Sequence, residues 1–105
     1  MSSFSIKRGD TSPTILYTLS PKVNLSGATV VFNMRGLSGP AVVDRGPAEI
    51  VGDPMDAVVS YAWQPGDTAQ AGYFRAEFEV TYADGSVETF PNAEFIGVNI
   101  GRDLG

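Results

Sequence analysis

The sequence predicts an all-β fold, an immunoglobulin-like antiparallel β-sandwich of about eight short strands. Three observations carry that prediction. The first is the alternation of Phe74, Ala76, Phe78, Val80 and Tyr82 with Arg75, Glu77, Glu79 and Thr81. In a strand this turns one apolar face inward and one charged face outward. The second is Ala83-Asp84-Gly85-Ser86, which joins that run to residues 87–90. Asp-Gly at such a step predicts a hairpin with a type I′ turn, which needs positive φ at both central residues. The third is the 12 Gly and 7 Pro spread along the chain as punctuation, with no window holding a helical period beyond about two turns.

The elements follow in order. Residues 3–8 alternate, with Phe4 and Ile6 on one face. The cluster Gly9-Asp10-Thr11-Ser12-Pro13 turns the chain into a second strand over residues 14–19, and Ser20-Pro21-Lys22 turns it again. In residues 28–34, Val30, Phe32 and Met34 share one parity, while Val31 on the other suggests that both faces are partly covered. A loop at residues 35–40 leads to short strands at 41–44 and 49–51, on either side of a turn at Arg45-Gly46-Pro47. Gly52-Asp53-Pro54-Met55-Asp56 turns into residues 57–63, where Val59, Tyr61 and Trp63 share a parity. Residues 64–72 connect to the long strand. After the hairpin, Pro91-Asn92-Ala93 breaks the chain before a last strand at 94–100, in which Phe95 is offset from Ile96, Val98 and Ile100.

A chain of 105 residues that is 43% hydrophobic supports one domain over residues 1–105 with a modest core. There is no cysteine, so stability comes from the core or from partners. The net charge of −5 repels phosphates and disfavours nucleic-acid binding. No apolar run approaches the ~20 residues that cross a bilayer, and the N-terminus lacks the order of a signal peptide. The chain is therefore expected to be made and used without membrane insertion.

Chemistry has few candidates. With no His, no Cys and no Ser in a Gly-x-Ser-x-Gly elbow, general-base and nucleophilic catalysis have no obvious residues, and the chain is expected not to be an enzyme. Asp10, Asp53, Asp56, Asp67 and Asp84 lack the dense spacing of a calcium loop and read as turn residues. No metal or other cofactor is expected. Asp67-Thr68 reads as an Asx or capping turn. Tyr73 occupies the place of a tyrosine corner but is out of parity with Phe74. Trp63 and Tyr61, with Asp67 nearby, would form a sugar-stacking platform if exposed; sandwich cores more commonly hold such aromatics inside. Arg75, Glu77 and Glu79 are either a solvated face or a row that meets a neighbour's charges.

An ordered set of short matches gives a resemblance. Ile6-Lys7-Arg8-Gly9-Asp10-Thr11, Leu25-Ser26-Gly27-Ala28-Thr29-Val30, Tyr61 and Trp63 with Asp67-Thr68, Ala71-Gly72-Tyr73 with Glu77-Phe78 and Val80, Asp84-Gly85, and Thr89-Phe90-Pro91 span nearly the whole chain. Together they resemble the N-terminal domain family of bacteriophage upper baseplate proteins. The resemblance implies an immunoglobulin-like sandwich in a structural virion protein, located in the virion after assembly in the host cytoplasm. Its partners would be other phage virion proteins of the capsid or tail, in a homo-oligomer or symmetric assembly. This sequence ends at Gly105, without the segments that follow the domain in an upper baseplate protein, so a baseplate, tail, neck or capsid-decoration place is implied equally. Met1, Ser2, Ser3 and Phe4 at one end and residues 101–105, with Arg102 and Leu104, at the other would then be contact arms. Arg35 and Leu37, Arg45 and Arg75 are the other candidate interface residues, on loops 35–40 and 45–54 and on the charged strand face. The glycan-binding adhesion module built on Trp63 and Tyr61 is the competing reading.

Overall fold

The computed structural model describes residues 2–104. Its longest strand is the run that alternates most cleanly, Gly72–Thr81, with Phe74, Ala76, Phe78 and Val80 buried. Among the described residues there are nine strands: β1 Ser3–Lys7, β2 Ile15–Thr18, β3 Thr29–Gly36, β4 Ala41–Pro47, β5 Glu49–Ile50, β6 Val58–Tyr61, β7 Gly72–Thr81, β8 Val87–Phe90 and β9 Ile96–Gly101. The one helical segment among them is a 3-10 turn at Pro54–Asp56, capped by Asp53, whose Oδ1 accepts the Met55 N–H at 2.9 Å. The fold is all-β, as expected.

Two sheets face each other. The larger has the order β1-β9-β7-β3-β4, with β8 also on β7; the smaller has the order β2-β6-β5. β7 makes this possible by sharing one edge, pairing β9 over Gly72–Ala76 and β8 over Phe78–Thr81. Phe32 and Phe78 of the large sheet meet Tyr61 and Tyr17 of the small one: Phe32 stacks on Tyr61 at 4.5 Å between ring centroids, and Tyr17 on Phe78 at 6.0 Å. Trp63 closes the cluster edge-on to both Phe32 and Tyr61.

Four local expectations are corrected. The large sheet is mixed, because β1 runs parallel to β9 from Ser3↔Gly97 to Lys7↔Gly101. The expected N-terminal arm is therefore not free at Ser3 and Phe4: both are in β1, and Phe4 packs on Trp63 at 5.8 Å. The β7–β8 hairpin closes without a type I′ turn. The Gly85 N–H donates to the Tyr82 carbonyl and only Gly85 has positive φ, so the link is a type I turn followed by a glycine bulge. Residues 45–47 are not a turn between strands but the end of β4, which bulges where Val43 opposes Met34 and Gly46 opposes Phe32. Arg45 takes φ 54° there, and its N–H donates to Asn33 Oδ1 at 2.7 Å. That side-chain bond satisfies the backbone group which the bulge removes from the ladder. β4 and β5 belong to different sheets, so the chain crosses between layers at Ala48.

Gly46 is demanded by close approach. A Cβ built on it would lie 2.7 Å from the Tyr61 ring and from Val43. Gly46→Ala is expected to destabilise the fold by about 1–3 kcal/mol through overpacking. Phe78→Ala, which empties a site with no solvent exposure, should cost about 3–5 kcal/mol. Urea denaturation reads both; a Gly46→Ala protein as stable as its parent would show that the Tyr61 contact is soft.

Candidate interaction groove

The outward residues of β3 and β7 form the floor of a groove of about 440 Å³ on the large sheet. Antiparallel register sets them in rows: Arg35 opposes Arg75, Asn33 opposes Glu77, and Val31 opposes Glu79. Leu37, in the link from β3 to β4, and Asp44 and Arg45 of the bulged β4 form one wall; Phe95, just before β9, forms the other. Leu37 is 68% exposed and Phe95 44%, so the groove offers apolar surface beside its charges.

Charge is unevenly satisfied here. Arg45 Nη1 donates to Glu79 Oε1 at 2.8 Å, an exposed pair contributing well under about 1 kcal/mol. The Arg75 guanidinium lies over the Phe95 ring, 5.4 Å from its centroid, a cation–π contact of roughly 0.5–1 kcal/mol at an exposed site. Arg35 has no hydrogen bond or ion pair among the described residues, and it directly opposes another arginine. Like charges directly opposite destabilise a sheet.

The structure thus brings together Arg35, Leu37, Arg45 and Arg75 of the candidate interface residues. It does not bring the others to the groove. Ser2 is exposed, and its carbonyl accepts the Gly97 N–H at 2.9 Å. Ser3 and Phe4 are in β1; Arg102 and Leu104 lie beyond β9 and outside the groove lining. The segment after β9 is tied back by Arg8, whose guanidinium donates to Asp103 at 2.7 Å and holds that carboxyl below its ordinary range. Met1 and Gly105 lie outside the described residues. Sequence reasoning missed Phe95 and Asp44 as groove residues. The offset of Phe95 from the Ile96 parity is a signal that its ring faces outward; Asp44 carries no such signal.

A second polar constellation supports the core. The Tyr61 hydroxyl donates to Asp67 Oδ2 at 2.6 Å, and the Gln64 N–H donates to the same oxygen at 2.8 Å. Thr68, buried, donates its hydroxyl to the Asp10 carbonyl at 2.8 Å, while the Gly9 N–H donates to the Thr68 carbonyl. The corner role considered for Tyr73 is corrected: Tyr73 is 45% exposed, its hydroxyl sits 2.7 Å from where a Cβ on Gly97 would be, and the tyrosine hydroxyl that braces this connection is that of Tyr61, bonded to a carboxylate and not to backbone. Asp67 does satisfy a backbone N–H with its side chain, as expected of a turn residue, but it reaches back three residues to Gln64 instead of capping the residues that follow.

The sugar-stacking reading is corrected by burial: Trp63 and Tyr61 are each 3% exposed, inside the aromatic cluster. No platform faces solvent there. Among the described residues, no three of His, Cys, Asp and Glu come together in a group able to hold a metal ion.

No protein-family model and no curated protein matches the sequence. Among solved structures, the crystal structure of CopC from Methylosinus trichosporium OB3b is similar, with a TM-score of 0.58 at 10% identity, covering 100% of this chain and 89% of that one. The likeness supports the β-sandwich over the full chain. It also corrects the virion role by removing its ground: the same sandwich occurs in CopC, so the fold does not argue for a phage particle, and no family model ties the sequence to one.

Two tyrosines set an alkaline limit. Burial, and then the hydrogen bond to Glu88, pushes the Tyr82 hydroxyl from 10.0 up to about 12. Burial, and then Asp67, pushes Tyr61 up further. The unfolded chain ionises first, so the stability held in these neutral phenols is complete below pH about 10 and is lost as pH rises through the folded values. The urea midpoint is expected to fall between pH 10 and 12, and less steeply in Tyr82→Phe; a flat midpoint would contradict the burial of these hydroxyls. Tyr61→Phe at neutral pH should cost roughly 1–3 kcal/mol, because Asp67 loses its strongest partner.

Proposed function

We propose that this protein is a non-catalytic binding module whose partner surface is the outer face of the large sheet, at the groove of Arg35, Leu37, Arg45, Arg75 and Phe95. One observation carries the reading: an open groove that combines exposed apolar side chains with an arginine that has no hydrogen bond or ion pair among the described residues. Folds place Leu and Phe outward singly as a matter of course, but two such residues flanking opposed arginines form a patch with the makeup of an interface core and rim. The chemistry of the chain supports a binding role over a catalytic one. It has no imidazole or thiol, the donors that suit zinc and copper and the groups that most often move protons or attack carbonyls. A rigid sheet presents the arginines at fixed spacing, which lowers the ordering cost of association.

The test is site-specific photo-crosslinking in the cells that make the protein. A crosslinking amino acid in place of Leu37 should yield discrete protein adducts, and one in place of Leu16, 61% exposed on the small sheet, should not. Equal adducts from both positions, or none from residue 37, would overturn the assignment of this face.

A further inference from the structure

We infer that the opposed pair Arg35 and Arg75 is a carboxylate site, which takes an acidic side chain of a partner polypeptide whose apolar neighbour packs on Leu37 and Phe95. The inference rests on the reading of this face as the partner surface and adds what the partner must carry.

Charge placement is the first argument. Three of the seven cationic side chains, Arg35, Arg45 and Arg75, line a single groove on a chain of net charge −5. Arg45 is already engaged by Glu79. Arg35 and Arg75 remain, side by side across β3 and β7, with an aromatic ring under one and, among the described residues, no ion pair on either. A bound carboxylate turns this repulsion into attraction, and the planar guanidinium fork suits a carboxylate better than an ammonium would.

The surroundings narrow the ligand. Asp44, Glu77 and Glu79 line the same groove and oppose a polyanion, so a phosphate chain is disfavoured where a single carboxylate between apolar groups is accepted. The mode of entry is narrowed as well. β4, the sheet edge beside the groove, is broken by register shifts against β3 between Phe32 and Met34 and again between Met34 and Arg35. Such an edge resists an added strand, which leaves side-chain insertion onto the face.

The experiment is an NMR titration of the whole protein with the peptide acetyl-Leu-Glu-amide, using acetyl-Leu-Gln-amide and inorganic phosphate as controls. The Glu peptide should produce saturable shifts at the Arg35 and Arg75 side-chain N–H groups and the Phe95 ring. The Gln peptide should bind about tenfold more weakly, the difference expected of a charge-assisted contact. Arg35→Gln should lose the Glu peptide and melt at a higher temperature than its parent, since the like-charge pair is relieved. Glu77→Gln, which removes the neighbouring carboxylate, should tighten the peptide. No saturable shift in the parent, undiminished binding by Arg35→Gln, or phosphate binding tighter than the Glu peptide would each overturn the carboxylate site. Adducts at residue 37 alongside an unbound Glu peptide would sink this inference and leave the binding face standing; a bound peptide without adducts would overturn the partner surface, and the polypeptide ligand with it, leaving a bare carboxylate site.

Discussion

Tyr61 joins the two sheets, and much of the molecule is arranged to let it do so. Its ring stacks on Phe32 across the sandwich at 4.5 Å with 14° between planes. Its hydroxyl, too deep to be left unpaired without a cost of about 1–3 kcal/mol, is taken by Asp67. Gly46 leaves the ring room on the β4 side. Because Asp67 also holds the Gln64 N–H, and Thr68 beside it is bonded to residues 9 and 10, one aromatic contact fixes the β6–β7 connection and the loop that follows β1.

The same packing supports the groove on the far side of the large sheet. Phe32, Met34, Ala76 and Phe78 are buried on the inner face, and strict alternation then obliges Asn33, Arg35, Arg75 and Glu77 to face outward in fixed rows. The bulge at Arg45 adds a wall and sends that guanidinium to Glu79. Arg35 and Arg75 face each other not by local preference but because the core dictates which residues pair, and a binding surface is where such a cost is tolerated.

Much of this was legible from periodicity. β7 and its hairpin partner, the buried parity of β3, and the turn roles of Asp53 and Asp84 follow from residue type and spacing, since burial on one face enforces a period of two. The reading failed where non-local packing decides. The virion role leaned on short turn and strand fragments that many sandwiches need for the same physical reasons. The platform reading of Trp63 could not be settled from sequence, because the parity of Tyr61 and Trp63 shows that they share a face and not whether that face is covered.

By itself the sequence determined the β character, the inward face of each long strand and the position of most turns, because these depend on neighbours within a few residues. Tertiary structure alone decided that β1 runs parallel to β9, that β4 and β5 separate into different sheets, and that Arg35 meets Arg75 with Phe95 alongside. Register between strands more than thirty residues apart is set by how the two inner faces interlock, and no local pattern carries that information.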